Sequence, residues 1–253
     1  MRRGWIVLLL VVLSLTLAPP ANAAVPVGGR LIFVGDFETG DFSQWTQCQS
    51  RRYSGSCKGD GIEFYGMRVT PEDRRQGAYA ARFEVRDGDK PSWGGGERAE
   101  VARYNIGRVH EGDERWYEFS LKFDPTFPAT VGGGFLMVMQ WHSGGDGTPP
   151  MALEVAGDGQ LVLTGHTPGA PAPMVIGDIS RGQWIDYVVH AKFSRSAGTG
   201  FAEVFRNGAL AVPMHPRVNM ESHSNYLKMG IYRDYRATTT AVMWADGLRV
   251  TAP

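Results

Sequence analysis

Alternation of apolar and polar residues recurs along almost the whole chain, and helical periodicity is nearly absent. The alternating stretches include GIEFYGMRVT, AYAARFEVRD, GGERAEVARYN, RWYEFSLKFD, GGFLMVMQWHS, QLVLTGH, QWIDYVVHAKFS, GFAEVFRNGALAV, NYLKMGIYR and AVMWADGLRVTA. Clusters of Gly, Pro, Asp and Asn separate them, as in strands joined by turns. In RNGA, Asn207 and Gly208 predict a tight hairpin, because both tolerate positive φ. Many short strands in one long unit predict an all-β fold of two stacked antiparallel sheets, a sandwich or jelly roll with a concave cleft on one outer face. No repeat, low-complexity tract or linker divides residues 24–253, which read as a single domain.

The first 23 residues break the pattern. Arg2 and Arg3 precede an apolar run from Trp5 to about Leu17, and Ala21-Asn22-Ala23 supplies a small-x-small cleavage site. That order predicts a secretory signal over 1–23, hence a secreted, extracellular protein. No later segment is apolar enough to cross a membrane, so no membrane partner is expected after signal removal.

The chain has 253 residues, 43% of them apolar, enough for a substantial core. Its 26 basic and 26 acidic side chains cancel, and loss of Arg2 and Arg3 leaves the mature chain slightly acidic. Net charge therefore offers no reason to expect a nucleic-acid partner. The two cysteines, Cys48 and Cys57, predict a disulfide in an exported protein, and no neighbouring histidine completes a zinc site with them.

Candidate chemistry lies on the polar faces of three strands. In GERAEVARYN, Arg98 and Glu100 share a face, opposite Ala99 and Val101. In GGFLMVMQWHS, period two places Gln140 and His142 with Leu136 and Val138, and Met137, Met139 and Trp141 opposite. In NYLKMGIYR, Tyr226, Lys228, Gly230 and Tyr232 oppose Leu227, Met229 and Ile231. Each has a bland counterpart: an exposed salt bridge, a polar pair satisfied by loop backbone, a snorkelling surface stripe. Brought side by side, they supply what β-elimination of a uronic-acid polysaccharide needs. Donors neutralise the uronate carboxylate and the enolate-like charge that develops on it. A base removes the C5 proton and an acid protonates the departing 4-linked oxygen. This set requires no metal.

RAE, QWH and YLKMGIY resemble the three strand motifs of jelly-roll polysaccharide lyases, the alginate-lyase type with R-[ST]-E, Q-[IV]-H and Y-F-K-x-G-x-Y. The wider layout is similar to glucuronan lyases and the heparin-lyase-I-like family, from GDFETGDFSQW through GQWIDYVVHAKFS and EVFRNG to WADGLRV. The resemblance implies a catalytic set of Arg98, Gln140, His142 and Tyr226. Arg98 and Gln140 would neutralise the carboxylate. His142 would be the base or assist that neutralisation, and Tyr226 would protonate the leaving oxygen, also removing the proton in a syn geometry. Lys228, Tyr232, Glu100 and Arg233 complete the substrate-binding group, with Glu100 holding Arg98. Ala99, Trp141, Arg233 and Asp234 depart from the alginate-lyase pattern and lean the expectation towards glucuronan or a heparin-like polymer.

The expected partner is thus an acidic polysaccharide, met by a monomer. No cofactor is required, although Asp36, Glu38 and Asp246 could hold a structural calcium. A non-catalytic carbohydrate-binding module is the alternative. A glycoside hydrolase would need two facing carboxylates, and Glu154 and Asp158 do not share a suitable strand face.

Overall fold

The computed structural model describes residues 27–105, 107–128, 134–144 and 147–253. The expected signal segment, 1–23, lies outside them. The strands are β1 (Arg30–Gly35), β2 (Gln47–Ser50), β3 (Tyr53–Gly55), β4 (Met67–Thr70), β5 (Ala80–Val85), β6 (Glu97–Arg103), β7 (Glu114–Phe123) and β8 (Leu136–His142). There follow β9 (Met151–Val155), β10 (Gln160–Thr164), β11 (Met174–Asp178), β12 (Trp184–Lys192), β13 (Phe201–Arg206), β14 (Ala209–Pro216), β15 (Tyr226–Arg233) and β16 (Ala241–Ala252). No helix occurs among the described residues.

Two eight-stranded antiparallel sheets result. One runs β14-β13-β12-β7-β16-β5-β4, with β1 added on β16. The other runs β11-β10-β9-β8-β15-β6-β2-β3 and brings the three motif strands β8, β15 and β6 together at its centre. The all-β, two-sheet expectation holds.

The core lies between the sheets because each strand gives one face to it. Ala99 and Val101, Met139 and Trp141, and Leu227, Met229 and Ile231 all point inward. Trp141 is fully buried and meets Tyr117 of the opposite sheet edge-on, ring centroids 5.0 Å apart. Burial of a large apolar side chain is worth roughly 1.5–3 kcal/mol. The β13–β14 turn carries positive φ at Asn207 and Gly208, as the hairpin signal requires.

Strict alternation fails at one place in the site. The β8–β9 register shifts between Met137 and Met139. Leu136 and Val138 consequently sit in the core, not beside Gln140 and His142, and Met137 faces outward into the cleft. On β15 the register also shifts, and Gly230 sits at φ 129°. A Cβ there would lie 2.3 Å from the Ala99 carbonyl oxygen, so β6 can approach only a glycine.

Candidate active site

The outer face of the second sheet carries a cleft of about 740 Å³. It is lined by Arg98 and Tyr104 from the β6 region, Gln140 and His142 from β8, and Tyr226, Lys228 and Tyr232 from β15. Pairing sets their rows: Lys228 lies opposite Gln140, and Tyr226 opposite His142. Gln49 of β2 closes one flank, and the Cys48–Cys57 disulfide ties β2 and its partner β3 to the loop beyond.

Beneath the cleft is a buried charge network. Glu100 Oε1 accepts from Arg98 Nη1 at 3.0 Å and from Lys228 Nζ at 2.5 Å, while its Oε2 accepts from Gln140 Nε2 at 2.9 Å. Glu100 is 1% exposed and Arg98 5%, so the bland reading of an exposed salt bridge does not apply. Lys228, 4% exposed, is likewise no surface stripe. Burial lowers its pKa, and the facing Glu100 carboxylate opposes that shift. One carboxylate shared by two cations leaves a net positive floor. Arg98 is further clamped between rings, 3.9 Å from the Tyr232 centroid and 4.8 Å from that of Trp93.

His142 and Tyr226 form the proton-handling edge. The Tyr226 hydroxyl lies 3.3 Å from His142 Nδ1, which also accepts the Gly144 N–H at 2.9 Å. A ring nitrogen that accepts a backbone N–H carries no proton, so the imidazole is neutral. Burial pushes the His142 pKa down to about 4, and the Lys228 charge acts in the same direction. The Tyr226 phenol is raised far above its usual value by burial and by its neighbour Tyr104. At neutral pH the pair therefore rests as a neutral imidazole beside a protonated phenol.

A stability prediction follows from His142. Its folded pKa of about 4 lies below the unfolded value of 6.5. The unfolded chain takes up a proton as pH drops below the higher value, whereas the folded chain resists until the lower. Its contribution is complete above the unfolded value and is lost as pH falls through this window. In urea denaturation the wild type should lose more stability than His142→Gln between the two values. Parallel curves would show that His142 is not held neutral.

Of the expected site residues, the structure gathers Arg98, Gln140, His142, Tyr226, Lys228 and Tyr232 on the cleft wall. Glu100 lies behind that wall and touches its members, not the open space. Arg233 is taken out of the substrate-facing set: it is wholly buried, with Nη2 2.8 Å from Glu97. Ala99 and Trp141 point into the core and Asp234 is not part of the lining, so none of the four departures from the alginate-lyase pattern lines the cleft. Sequence reasoning missed Trp93, Tyr104, Arg108, Phe135 and His166, which also line it. They come from loops and strand ends, where period two gives no direction; the Gly-rich context of Trp93 was the nearest signal.

A second cavity, about 620 Å³, opens on the other sheet beside Asp36, Glu38, Arg75 and Asp186. There Asp186 is bridged twice by Arg75, and Glu38 and Asp246 accept backbone N–H groups of residues 75–79. Asp246 Oδ1 is buried without a hydrogen-bond partner among the described residues.

A sequence profile of the family described as polysaccharide lyase matches residues 37–249. No curated protein matches the sequence. Among solved structures, the chain is similar to an endo-β-1,4-glucuronan lyase from the fungus Trichoderma reesei: 16% identity, TM-score 0.63, covering 88% of this chain and 96% of that one. A family 7 alginate lyase solved with product gives 17% identity and TM-score 0.62, over 87% of this chain and 100% of that one. The catalytic domain of a glycoside hydrolase family 131 protein from Coprinopsis cinerea gives 14% identity and TM-score 0.63, over 89% and 95%. At such identities these likenesses speak for the fold, which hosts both lyases and a hydrolase.

Proposed function

Because this chain belongs to the polysaccharide lyase family, we propose that it is a secreted enzyme that cleaves a uronic-acid polysaccharide by β-elimination. One observation carries the reading. The cleft wall holds Arg98, Arg108 and Lys228, two amides, two histidines and the phenols of Tyr104, Tyr226 and Tyr232, and none of its described residues is a carboxylate. A glycosidase needs two carboxylates facing the scissile bond. A uronate polymer instead needs a positive floor, which attracts its carboxylates and stabilises the charge that develops on them.

In the proposed step the C5–H bond breaks, a C4=C5 double bond forms, and the C4–O4 bond breaks with its electron pair going to O4, which takes up a proton. Arg98 and Gln140 face the substrate carboxylate and spread the charge that develops on it. Lys228 adds a fixed positive charge below. Where C5–H and C4–O lie on one face of the sugar, the Tyr226 hydroxyl serves both ends, giving its proton to O4 while its oxygen takes the proton from C5. Where they lie on opposite faces, His142 is the base and Tyr226 the acid. No metal enters the step.

Glucuronan or a heparin-like polymer is the expected substrate. That preference over alginate rests on sequence departures none of which lines the cleft, so direct comparison decides it. The monomer is offered glucuronan, alginate, heparin, heparan sulfate and chondroitin, with and without chelator, and unsaturated uronate is followed by ultraviolet absorbance. A rise on glucuronan or a heparin-like chain, unchanged by chelator below the melting temperature, is the expected outcome. A rise only on alginate would overturn the substrate preference. Binding without any product would favour the alternative, a carbohydrate-binding module using the aromatic wall of Trp93, Phe135 and Tyr232. A structural calcium is a separate proposal that rests on the open Asp246 Oδ1 alone, since Asp36 and Glu38 already accept from Gln44 and from backbone N–H groups and no group of three candidate ligands stands together among the described residues; calcium should then raise Tm in the wild type and not in Asp246→Asn.

A further inference from the structure

At the far side of the cleft from Arg98, we infer that His166 and Glu154 form a second, proton-dependent subsite for a uronate carboxylate, one or two sugar residues away from the bond that is cleaved. The inference rests on the lyase reading above and adds a binding residue which that reading does not use.

The sheet places His166 in register with the proton-handling edge. Gln140 of β8 lies opposite Ala152 of β9, and Ala152 lies opposite Thr164 of β10. These three therefore form one row on the same face. His142 is two residues beyond Gln140, and His166 two beyond Thr164, along strands running the same way. His142 and His166 thus occupy the next row, two strand spacings or about 10 Å apart. Both line the same cleft. A polymer lying across the strands over Tyr226 and His142 meets His166 next.

The charge on His166 is set by one carboxylate. Its Nε2 is in hydrogen-bond contact with Glu154 Oε1, which also accepts the Thr164 hydroxyl at 2.8 Å. Glu154 is 9% exposed and does not line the cleft, whereas the His166 side chain is 34% exposed. The other neighbours are uncharged or turned elsewhere. From the segment after β8, Thr148 donates to the His166 carbonyl, and the His166 N–H donates to Pro149. Glu221 reaches towards Gly147 of that segment, and Arg217 donates to the Thr164 carbonyl from beneath. The hydrogen bond with Glu154 raises the His166 pKa against the opposing effect of partial burial.

With Nε2 committed to Glu154, Nδ1 is the nitrogen left for a ligand. In the neutral ring it is a lone pair, which repels a carboxylate; in the protonated ring it is an N–H donor. Binding of a uronate here should therefore take up a proton. Since the folded pKa is raised, the subsite is present at low pH and is lost as pH rises through that value. His142, held neutral, behaves oppositely, so the two histidines separate binding from chemistry.

The test compares wild type and His166→Gln on whichever polymer gives unsaturated product. At about pH 5, where a histidine raised above 6.5 is protonated, KM of the variant should be roughly tenfold higher with kcat within about twofold. At about pH 9 the two should agree. Glu154→Gln should move the pH at which they converge downward. Equal KM values at low pH, with lyase activity intact, overturn the inference and leave the function standing. In uncleaving Tyr226→Phe protein, the His166 ring signal should titrate at higher pH once a uronate oligomer is added. An unmoved titration counts against the subsite. Failure of every polymer to be cleaved strikes the function itself, and oligomer binding to Tyr226→Phe then still reads the subsite.

Discussion

Tyr226→Phe should lower kcat by about a thousandfold while leaving KM within a few-fold, because general acid–base groups contribute roughly 10²–10⁴ to rate. The ring remains to fill its place against Tyr104, 4.3 Å between centroids, and only the hydroxyl facing His142 is lost. That hydroxyl is worth about 1 kcal/mol to the fold, so Tm should move little. Tyr104→Phe removes a neighbouring phenol that is not within the proton-handling pair, and should cost about tenfold or less by the same reasoning. Retention of more than a tenth of wild-type kcat in Tyr226→Phe would remove this residue from the chemistry. A rise in KM with kcat little changed would instead indicate that the phenol acts in substrate binding.

Glu100→Ala should be the most destabilising single change in the site. It strips the shared carboxylate from Arg98 and Lys228, both buried, and from the Gln140 amide. Removing one partner of a buried ionic group costs about 3–5 kcal/mol, because the remaining charge is left uncompensated. For a chain of this size that is a fall in Tm on the order of 10 °C. Activity should vanish with it, since Arg98 and Gln140 lose their orientation. Adding Lys228→Met to Glu100→Gln should recover part of the stability but none of the activity, because the stranded ammonium is then gone while its charge is missing from the cleft floor. Urea denaturation of the three variants measures this directly. A Glu100→Ala protein within 2 °C of wild type, a margin well below the one unpaired buried charge implies, would mean the network does not hold the floor.

Much of this arrangement was legible in the sequence, and the parts that were not have physical causes. Period-two alternation identifies Ala99 and Val101, or Leu227, Met229 and Ile231, as core, and so turns Arg98, Lys228 and Tyr226 outward. The hairpin at Asn207 and Gly208 and the Cys48–Cys57 bridge are local, and local chemistry specifies them. Alternation fails at Leu136 and Val138 because a bulge inserts between Met137 and Met139, and no residue type announces it. Alternation puts Arg233 on the inward face of β15 with Leu227, Met229 and Ile231, and Glu97 across the β6–β15 pair meets it there in a buried ion pair; only the family resemblance places it at the cleft. His190 is held on the other sheet between Glu114 and Glu203 and stacks on Trp116, far from the motif strands. His166 has no strand pattern of its own, and only the fold sets it two strands from His142. Long-range partners of this kind are invisible to periodicity, which reports a face and not what lies across it.

The most direct measurement is the mass of the products formed in heavy-oxygen water. β-Elimination breaks the C4–O4 bond without adding water, so each cleavage should yield an unsaturated end with no solvent oxygen and a total product mass equal to that of the polymer. Hydrolysis would add one labelled oxygen per cleavage, at the new reducing end, and leave the sugars saturated. Unlabelled, unsaturated ends that disappear in Tyr226→Phe are the expected result; labelled, saturated ends would contradict the lyase chemistry assigned to this cleft.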